Sequence, residues 1–334
     1  MRGKRHSAAA LTLAGALALS ACGGGDGGGE DTADAGSTTD AGSEGGSVTI
    51  GIKFDQPGLG LQEGSDYTGF DVAVATHVAE QLGYAAEDIE WVETPSPQRE
   101  TMLQNGQVDM IFATYSITDS RKETIAFAGP YFVAGQDLLV AADDTEITGP
   151  DSLDGKVLCS VEGSTSAERI REEYSEGVEL FPTVGYSECV ELLAAGTVDA
   201  VTTDDIILAG YAAQPEYEGQ FKVVGTPFSE EYYGVGLPQD NDVCEDINTA
   251  ITEMIEDGTW EQLIAENVGD TYTPNPDLNP PTELETCAAG TGGAAHRPTG
   301  LGQPSTPGST TRSVRPAGST RGLQPPAPTT PALL

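Results

Sequence analysis

Positively charged residues are scarce in this sequence. Lysine and arginine together number 15, against 53 aspartates and glutamates, and the 334-residue chain carries a formal net charge of -38. Nucleic-acid binding requires clustered basic side chains opposite the phosphates, so this balance argues against DNA or RNA as a partner. An acidic surface of this kind mainly confers solubility. Each basic residue inside the folded part therefore needs an explanation at its own position.

Histidines are fewer still, and the common catalytic motifs are absent. The three histidines are His6, His77 and His296, which are widely separated in the chain. The sequence contains no nucleophile elbow, HExxH motif or phosphate-binding loop. General acid–base catalysis needs a titratable group held in a cleft, and these positions do not indicate one. We therefore expect no enzyme, no metal and no other cofactor.

Long hydrophobic runs are also lacking. The apolar stretch at 8–18 is too short to span a membrane, and it follows a basic start, as in an export signal. Residues 19–22 (LSAC) resemble the lipobox of bacterial lipoproteins. We predict a signal peptide at 1–21 and a diacylglycerol on Cys22, which anchors the protein on the extracytoplasmic face of the cell membrane. An ordinary signal peptide with an incidental cysteine is the alternative.

Two segments have too few large apolar residues to form a core. Residues 22–47 are rich in Gly, Ser, Thr and Asp, which predicts a flexible, lipidated linker. Residues 288–334 are rich in Pro, Gly, Ser and Thr, which predicts a disordered tail. Between them lie about 240 residues, enough for one large domain or two smaller lobes.

Strand and helix patterns alternate in two similar stretches. This alternation predicts an α/β fold with parallel strands and helical crossovers. The extended segments 136–140 and 233–237 would carry the chain from one unit to the other and back. The patterns are strands at 48–52, 89–92, 110–113, 156–160 and 200–203, and helices at 70–79, 99–105, 166–174, 188–195, 243–257 and 259–266.

The patterns divide the chain into two lobes. We predict that residues 48–136 and 232–287 form lobe 1 and that residues 137–231 form lobe 2. Two lobes joined by two crossing strands enclose a cleft that closes by hinge motion.

Four cysteines remain besides Cys22. An exported protein meets an oxidising environment, so an even number predicts two disulfides, for which three pairings exist. We prefer Cys159–Cys189 and Cys244–Cys287, because each pair then stays within one lobe. Zinc is the alternative, but no CxxC spacing or neighbouring histidine supports it.

Four motifs together resemble a known family. GFDV at 69–72, NGQVD at 105–109, SITDSRKE at 116–123 and FAGPYF at 127–132 look like the successive landmarks of the polar amino-acid solute-binding proteins of ABC transporters, family 3. The resemblance covers about residues 48–265. It implies a two-lobed periplasmic-binding-protein-like fold of type II, with a parallel-rich sheet and flanking helices in each lobe and two crossing hinge strands. QPGLG at 56–60 and GQDLL at 135–139 are most similar to the glutamate-binding lipoproteins of high-GC Gram-positive bacteria.

The resemblance assigns partners to the two charged groups that every free amino acid carries. A buried site must pair both, because an unpaired buried charge is costly. Arg121 matches the family arginine whose planar fork takes the α-carboxylate. Thr114 and Ser116 match the donors around it, and Thr165 matches a helix start on the second lobe that closes on the same group. Asp204 matches the acid that takes the ammonium.

Purely structural roles are the alternatives at these positions. Arg121 would then be a surface arginine at a polar helix start. Asp204, or the adjacent Asp205, would then be a simple helix cap.

Further residues would meet the ligand's side chain. Arg99 follows residues 96–98 (SPQ), a segment that resembles the one that supplies a side-chain-binding arginine in glutamate- and aspartate-binding relatives, and Ser96 belongs to it. Lys53 follows the first strand at the expected cleft mouth. Two cations in one cleft favour a second carboxylate on the ligand, although either residue would otherwise be solvated. Tyr186 matches a polar contact in those relatives.

These matches predict a monomeric receptor for a free acidic amino acid, glutamate first, which delivers it to the permease subunits of an ABC importer. Glutamine, aspartate or another polar amino acid is the alternative ligand, because an amide also accepts from a cation. A sensor that feeds a signalling receptor and a cleft enzyme of the same fold are the alternative functions.

Overall fold

The computed structural model describes residues 46–174 and 177–287. The predicted signal peptide, Cys22, most of the linker and the tail lie outside these residues. The strands are β1 (Val48–Ile52), β2 (Asp55–Gln56), β3 (Gly60–Glu63), β4 (Asp66–Thr68), β5 (Ile89–Glu93), β6 (Met110–Ile111), β7 (Ala126–Ala134), β8 (Gln136–Ala141), β9 (Val157–Val161), β10 (Glu179–Thr183), β11 (Ala200–Asp204), β12 (Phe221–Val223) and β13 (Glu231–Leu237). The helices are α1 (Phe70–Gln81), α2 (Arg99–Gln104), α3 (Asp119–Lys122), α4 (Thr165–Glu173), α5 (Tyr186–Ala194), α6 (Asp205–Ala212), α7 (Cys244–Glu256) and α8 (Thr259–Asn267).

Two five-stranded sheets have the same plan. The first has the order β5-β1-β6-β13-β7 and the second the order β10-β9-β11-β8-β12. In each, the first three strands pair in parallel and the fourth is antiparallel to both of its neighbours. The parallel pairs predicted from the strand–helix alternation are therefore confirmed. A small antiparallel sheet, β2-β3-β4, comes between strand β1 and helix α1 in the sequence.

The two sheets define two lobes. The first lobe contains the first sheet with α1, α2, α3, α7 and α8, and the second contains the second sheet with α4, α5 and α6. The fold is thus the two-lobed α/β architecture that the sequence predicted. Among residues 46–174 and 177–287, no helix is both long and apolar enough to cross a membrane.

The chain passes between the lobes at two adjacent connections. One is Gly135, between β7 and β8, and the other is 224–230, between β12 and β13. A Cβ at Gly135 would lie 2.7 Å from Pro227 Cβ and 2.9 Å from Ser229 O, so the two connections pack directly on each other. The predicted segments 136–140 and 233–237 lie in strands that directly follow these connections, β8 in the second sheet and β13 in the first.

An aromatic cluster fills the core between the first sheet and its helices. Phe132 stacks on Trp260 with ring centroids 6.1 Å apart, and Phe70 meets Phe132 edge to face at 5.8 Å. The indole of Trp260 also donates to the carbonyl of Tyr131 at 2.8 Å. Burying each such ring contributes about 1.5–3 kcal/mol. The cluster therefore attaches α1 and α8 firmly to the strands that lead to the connections.

Two disulfides reinforce the lobes. Cys159 is bonded to Cys189, which joins β9 to α5, and Cys244 is bonded to Cys287, which joins α7 to the last described residue. These are the two pairs that the sequence analysis preferred. Each bond lies within one lobe and leaves motion between the lobes unrestricted.

Candidate functional site

A small cavity of about 20 Å³ lies between the lobes, where strands of both sheets end. Ligand sites of α/β proteins commonly form at the carboxyl ends of the strands. Of the residues predicted to bind ligand, all except Lys53 line the cavity. The lining residues are Gln56, Ser96, Arg99, Thr114, Ser116 and Arg121 from the first lobe, and Ser164, Thr165, Ser166, Tyr186, Thr203, Asp204 and Ile207 from the second.

Two guanidinium groups share one aromatic ring on the first-lobe wall. The central carbons of Arg99 and Arg121 lie 4.9 and 4.8 Å from the ring centroid of Tyr115. The Tyr115 hydroxyl donates to Glu100 Oε1 at 2.8 Å, and Arg121 Nε lies 3.3 Å from the same oxygen. The ring quadrupole and one carboxylate thus offset part of the repulsion between the two cations.

Arg99 is buried without a carboxylate partner. It is 3% exposed, and its Nε donates to the carbonyl of Thr94 at 3.1 Å. Of the buried cations in the described part of the chain, Lys53 and Arg121 form ion pairs, whereas Arg99 forms none. Burial, and secondly the charge of Arg121, lowers the pKa of the Arg99 guanidinium. A buried unpaired cation is costly, so this side chain provides a site for an anion.

Arg121 lies on the cavity wall with hydrogen bonds to both lobes. Its Nη1 donates to the carbonyl of Ser116 at 2.7 Å, and its Nη2 donates across the cleft to the carbonyl of Gly163 at 3.3 Å. The side chain is buried, so it is not a surface arginine.

The backbone that follows strand β6 is strained at Thr114. This residue has φ 46°, a conformation that is uncommon for side chains other than glycine. The carboxylate of Asp71 accepts from the Thr114 N–H at 2.8 Å and from the Tyr131 hydroxyl at 2.8 Å. The turn ends the strand at Ile111, two residues before the predicted end, and directs the following residues to the cavity.

The second lobe contributes the start of helix α4. Ser164 caps the helix by accepting from Ala167 N at 3.0 Å, and Thr165 is the first helical residue. The Thr165 hydroxyl lies 3.4 Å from that of Ser116, so the two lobes meet beside the cavity. The helix start and the hydroxyls together provide donors for an anion.

Asp204 provides the negative charge of the cavity. Its Oδ2 accepts from the Tyr233 hydroxyl at 2.6 Å, while its buried Oδ1 has no partner among the described residues. Burial, followed by repulsion from Glu231, raises the pKa of the Asp204 carboxyl well above its usual range, although the Tyr233 hydrogen bond opposes this. Asp204 makes no side-chain cap to helix α6, so its free oxygen remains available to a donor in the cavity.

The neighbouring Asp205 has a different role. Its Oδ1 accepts from Gly135 N at 3.2 Å and from Ile206 N at 2.8 Å, and its Oδ2 accepts from the Tyr272 hydroxyl at 2.9 Å. It therefore supports the connection between the lobes. The sequence left open which of the two adjacent acids faces the cavity, and in the structure Asp204 lines it whereas Asp205 does not.

The expectation for Lys53 is wrong in its geometry. Lys53 is 2% exposed and does not line the cavity. Its Nζ lies 3.3 Å from Asp55 Oδ1, which provides the opposite charge that burial demands. The charge pattern of the sequence did not reveal this partner, because an acid two residues away in a loop can equally point to solvent.

Several lining residues were not predicted. Gln56, Ser164, Ser166, Thr203 and Ile207 line the cavity, and Tyr115 lies beneath the two arginines. Ser164 and Ser166 flank Thr165 in the predicted helix start, so that motif contained the available signal. The role of Tyr115 was missed because the alternation of apolar and polar residues in ATYS at 113–116 fits a core tyrosine as well as a ring that contacts a cation.

The similarity of this chain to known proteins agrees with the geometry. Glutamate-binding protein GluB of Corynebacterium glutamicum is 48% identical over 239 residues, which are 68% of this chain and 80% of that protein. The ABC transporter glutamine-binding protein GlnH of Bacillus subtilis is 32% identical over 265 residues, which are 78% of this chain and 95% of that protein. The solved structure of an ancestral arginine-binding protein bound to arginine has a TM-score of 0.62 and 31% identity, over 66% of this chain and 98% of that one. The chain belongs to the bacterial extracellular solute-binding proteins, family 3, whose family model matches residues 48–270.

Proposed function

We propose that this protein binds a free acidic amino acid, L-glutamate, outside the cytoplasm and delivers it to the permease of an ABC importer. The glutamate-binding name of the relative from Corynebacterium glutamicum supports this ligand. The names of the other relatives include glutamine and arginine, so the choice of ligand rests on the charges in the cavity.

The observation that carries the proposal is the charge balance of the cavity. Arg99, which forms no ion pair with any described residue, and Arg121 line it together with one acid, Asp204. Glutamate presents two carboxylates and one ammonium, which is the complementary set. An arginine ligand would add a further cation beside Arg99, whereas Asp204 is the single acid among the described residues that line the cavity.

Each part of the ligand has a proposed partner. Arg121, Thr114, Ser116 and Thr165 surround the α-carboxylate. The α-ammonium donates to Oδ1 of Asp204, because this buried oxygen has no hydrogen-bond partner among the described residues and buried polar atoms need one. The side-chain carboxylate is bound by Arg99, with Ser96 and Tyr186 beside it on the cavity wall.

Glutamine is the second candidate. Its amide oxygen can accept from Arg99, and the Bacillus subtilis relative is named for it. A neutral amide leaves the buried charge of Arg99 without compensation, so glutamate is expected to bind more tightly. Aspartate has the correct charges on a shorter side chain.

The remaining parts of the proposal concern the whole chain. A lipid on Cys22 would anchor a monomer on the extracytoplasmic face, and lobes of 48–136 with 232–287 and of 137–231 would close on the ligand. The membership of the two sheets supports this division, since β8 begins at Gln136 and β13 at Glu231. Arginines, an aspartate and hydroxyls around one cavity suit binding, and we propose no catalysis.

A thermal-shift screen of the twenty amino acids tests the proposed ligand. A ligand that binds only the folded protein stabilises it by about 2.7 kcal/mol at one hundred times its Kd. We expect glutamate to give the largest increase in melting temperature, and chromatography to recover it unchanged after incubation. If no amino acid raises the melting temperature, the proposed function is wrong, and conversion of glutamate would indicate an enzyme instead.

A further inference from the structure

Helix α5 of the second lobe has no cap of its own. Its N-cap residue is Gly185, which has no side chain to satisfy the first N–H groups of the helix. Such groups need an acceptor, and an acid at this end also interacts favourably with the helix dipole. Asp55 of the first lobe supplies one, because its Oδ2 lies 3.4 Å from Ser187 N and 3.3 Å from Ser187 Oγ.

The surroundings of Asp55 are shaped for this contact. A Cβ added to Gly185 would lie 2.5 Å from Asp55 Oδ2, which is too close for any other residue without movement. Gly185 has φ -144°, which every residue adopts readily, so the backbone itself does not require glycine. A side chain at this position would instead displace the carboxylate of Asp55 from its place beside helix α5. Tyr211 of helix α6 also donates its hydroxyl to the carbonyl of Asp55.

Lys53 completes the arrangement from the first lobe. Its ammonium lies 3.3 Å from Asp55 Oδ1, which has no hydrogen bond of its own among the described residues. Asp55 therefore stands between a buried cation of its own lobe and the helix start of the other. This location explains why a lysine is buried near the cleft without lining the cavity.

We propose that Asp55 is a latch that holds the two lobes together by capping helix α5 from the opposite lobe. We call Lys53, Asp55, Gly185, Ser187 and Tyr211 the Asp55 latch. The proposal rests on the proposed function, since the lobes are taken to close on a bound amino acid. The latch does not touch the cavity, so it increases affinity by stabilising the closed form and does not select among ligands.

The substitution Gly185→Ala tests the latch. Alanine suits the backbone conformation, but its methyl group prevents Asp55 from approaching. We expect calorimetry to show glutamate binding weakened by about tenfold, as for the loss of one helix cap, with faster dissociation. Any glutamine affinity should fall by the same factor. In small-angle X-ray scattering, the compaction on adding glutamate should be smaller than in the wild type.

Asp55→Asn provides a second test through charge. The amide keeps an acceptor oxygen but removes the negative charge at the start of helix α5, so we expect a loss in the same direction. The matched control is Asp66→Asn, an exposed acid of the same small sheet, which should bind glutamate like the wild type.

The outcomes separate the two proposals. Wild-type protein that binds no amino acid rejects the proposed function and the latch with it. Wild-type protein that binds glutamate, together with Gly185→Ala and Asp55→Asn variants of unchanged affinity, rejects the latch alone. A change in the ratio of glutamate to glutamine affinity in these variants would also reject it, because it would place Asp55 in contact with the ligand.

Discussion

Three side chains establish the electrostatics of the cavity. Arg99 and Arg121 lie over the ring of Tyr115, and Asp204 lies on the opposite lobe. Among the described residues, the buried guanidinium of Arg99 has no ion-pair partner and Asp204 Oδ1 has no hydrogen-bond partner. Uncompensated buried charge of this kind lowers stability and perturbs pKa values, and it marks functional sites more often than structural ones.

Asp204 predicts a pH dependence of binding. Burial raises the pKa of its carboxyl, so the free protein takes up a proton there at a higher pH than an ordinary aspartate does. A ligand ammonium beside it favours the ionised form, so binding releases this proton. We expect affinity to fall as the pH is lowered through the raised pKa, and calorimetry in buffers of different ionisation enthalpy to detect the release. In Asp204→Asn the release should vanish and binding should weaken strongly; persistence of both would contradict the assignment.

At the scale of elements, the site depends on how strand β6 ends. Asp71, from the start of α1, accepts from Thr114 N and from the Tyr131 hydroxyl of β7, so one carboxyl joins a helix, a strained turn and a strand. Burial raises the pKa of Asp71 to about 6, against the lowering effect of these hydrogen bonds. The carboxyl group that positions the turn therefore stabilises the folded state more when it is protonated than when it is ionised.

Asp71 predicts a pH dependence of stability. A pKa of about 6 in the folded protein, against the usual 3.8, means that the folded state binds the proton more tightly than the unfolded state. Its contribution is therefore complete below the usual value and is lost as the pH rises through 6, by up to about 3 kcal/mol. We expect urea unfolding between pH 4 and 8 to show that the free energy of unfolding of Asp71→Asn rises relative to that of the wild type, by most of this amount, as the pH increases. Asp240→Asn, at an exposed position, is the control, and parallel curves for wild type and Asp71→Asn would contradict the account.

The sequence predicted the elements that have a clear period. Strand β1 and helix α8 lie where the patterns placed them, because their apolar residues follow one face or one buried run. Strand β7 was not predicted, since FAGPYFVA is apolar throughout and contains a proline, so it has no readable period. Helix α6 was missed for the same reason, as DIILAGYA is apolar on all sides. Strands β2–β4 are too short and glycine-rich to be recognised.

At the scale of the whole molecule, the sequence predicted contacts within a lobe better than contacts between lobes. The cysteine pairs and the partners around Arg121 follow from order along the chain and from family motifs. The pairing of Lys53 with Asp55 lies within the first lobe, whereas the contact of Asp55 with helix α5 depends on how the two lobes meet. No local pattern in the sequence records the contact between the lobes.

The whole molecule therefore acts as two surfaces that meet around one small zwitterion. The first lobe provides the cations, and the second provides the acid and the start of helix α4. In the proposed function, closure of the lobes would remove the ligand from water. Water-excluded charge pairs are much stronger than exposed ones, so selectivity is expected to appear only when the lobes are closed.

The most direct measurement is calorimetry of glutamate and glutamine with Arg99→Gln and Arg121→Ala. Losing one partner of a buried charge pair costs about 2–5 kcal/mol, so Arg99→Gln should reduce the glutamate affinity at least about thirtyfold and the glutamine affinity far less. Arg121→Ala should remove both, because every amino acid carries an α-carboxylate. Equal losses of the two ligands in Arg99→Gln, or wild-type glutamate affinity in either variant, would contradict the claim that these two arginines neutralise the two acid groups of the ligand.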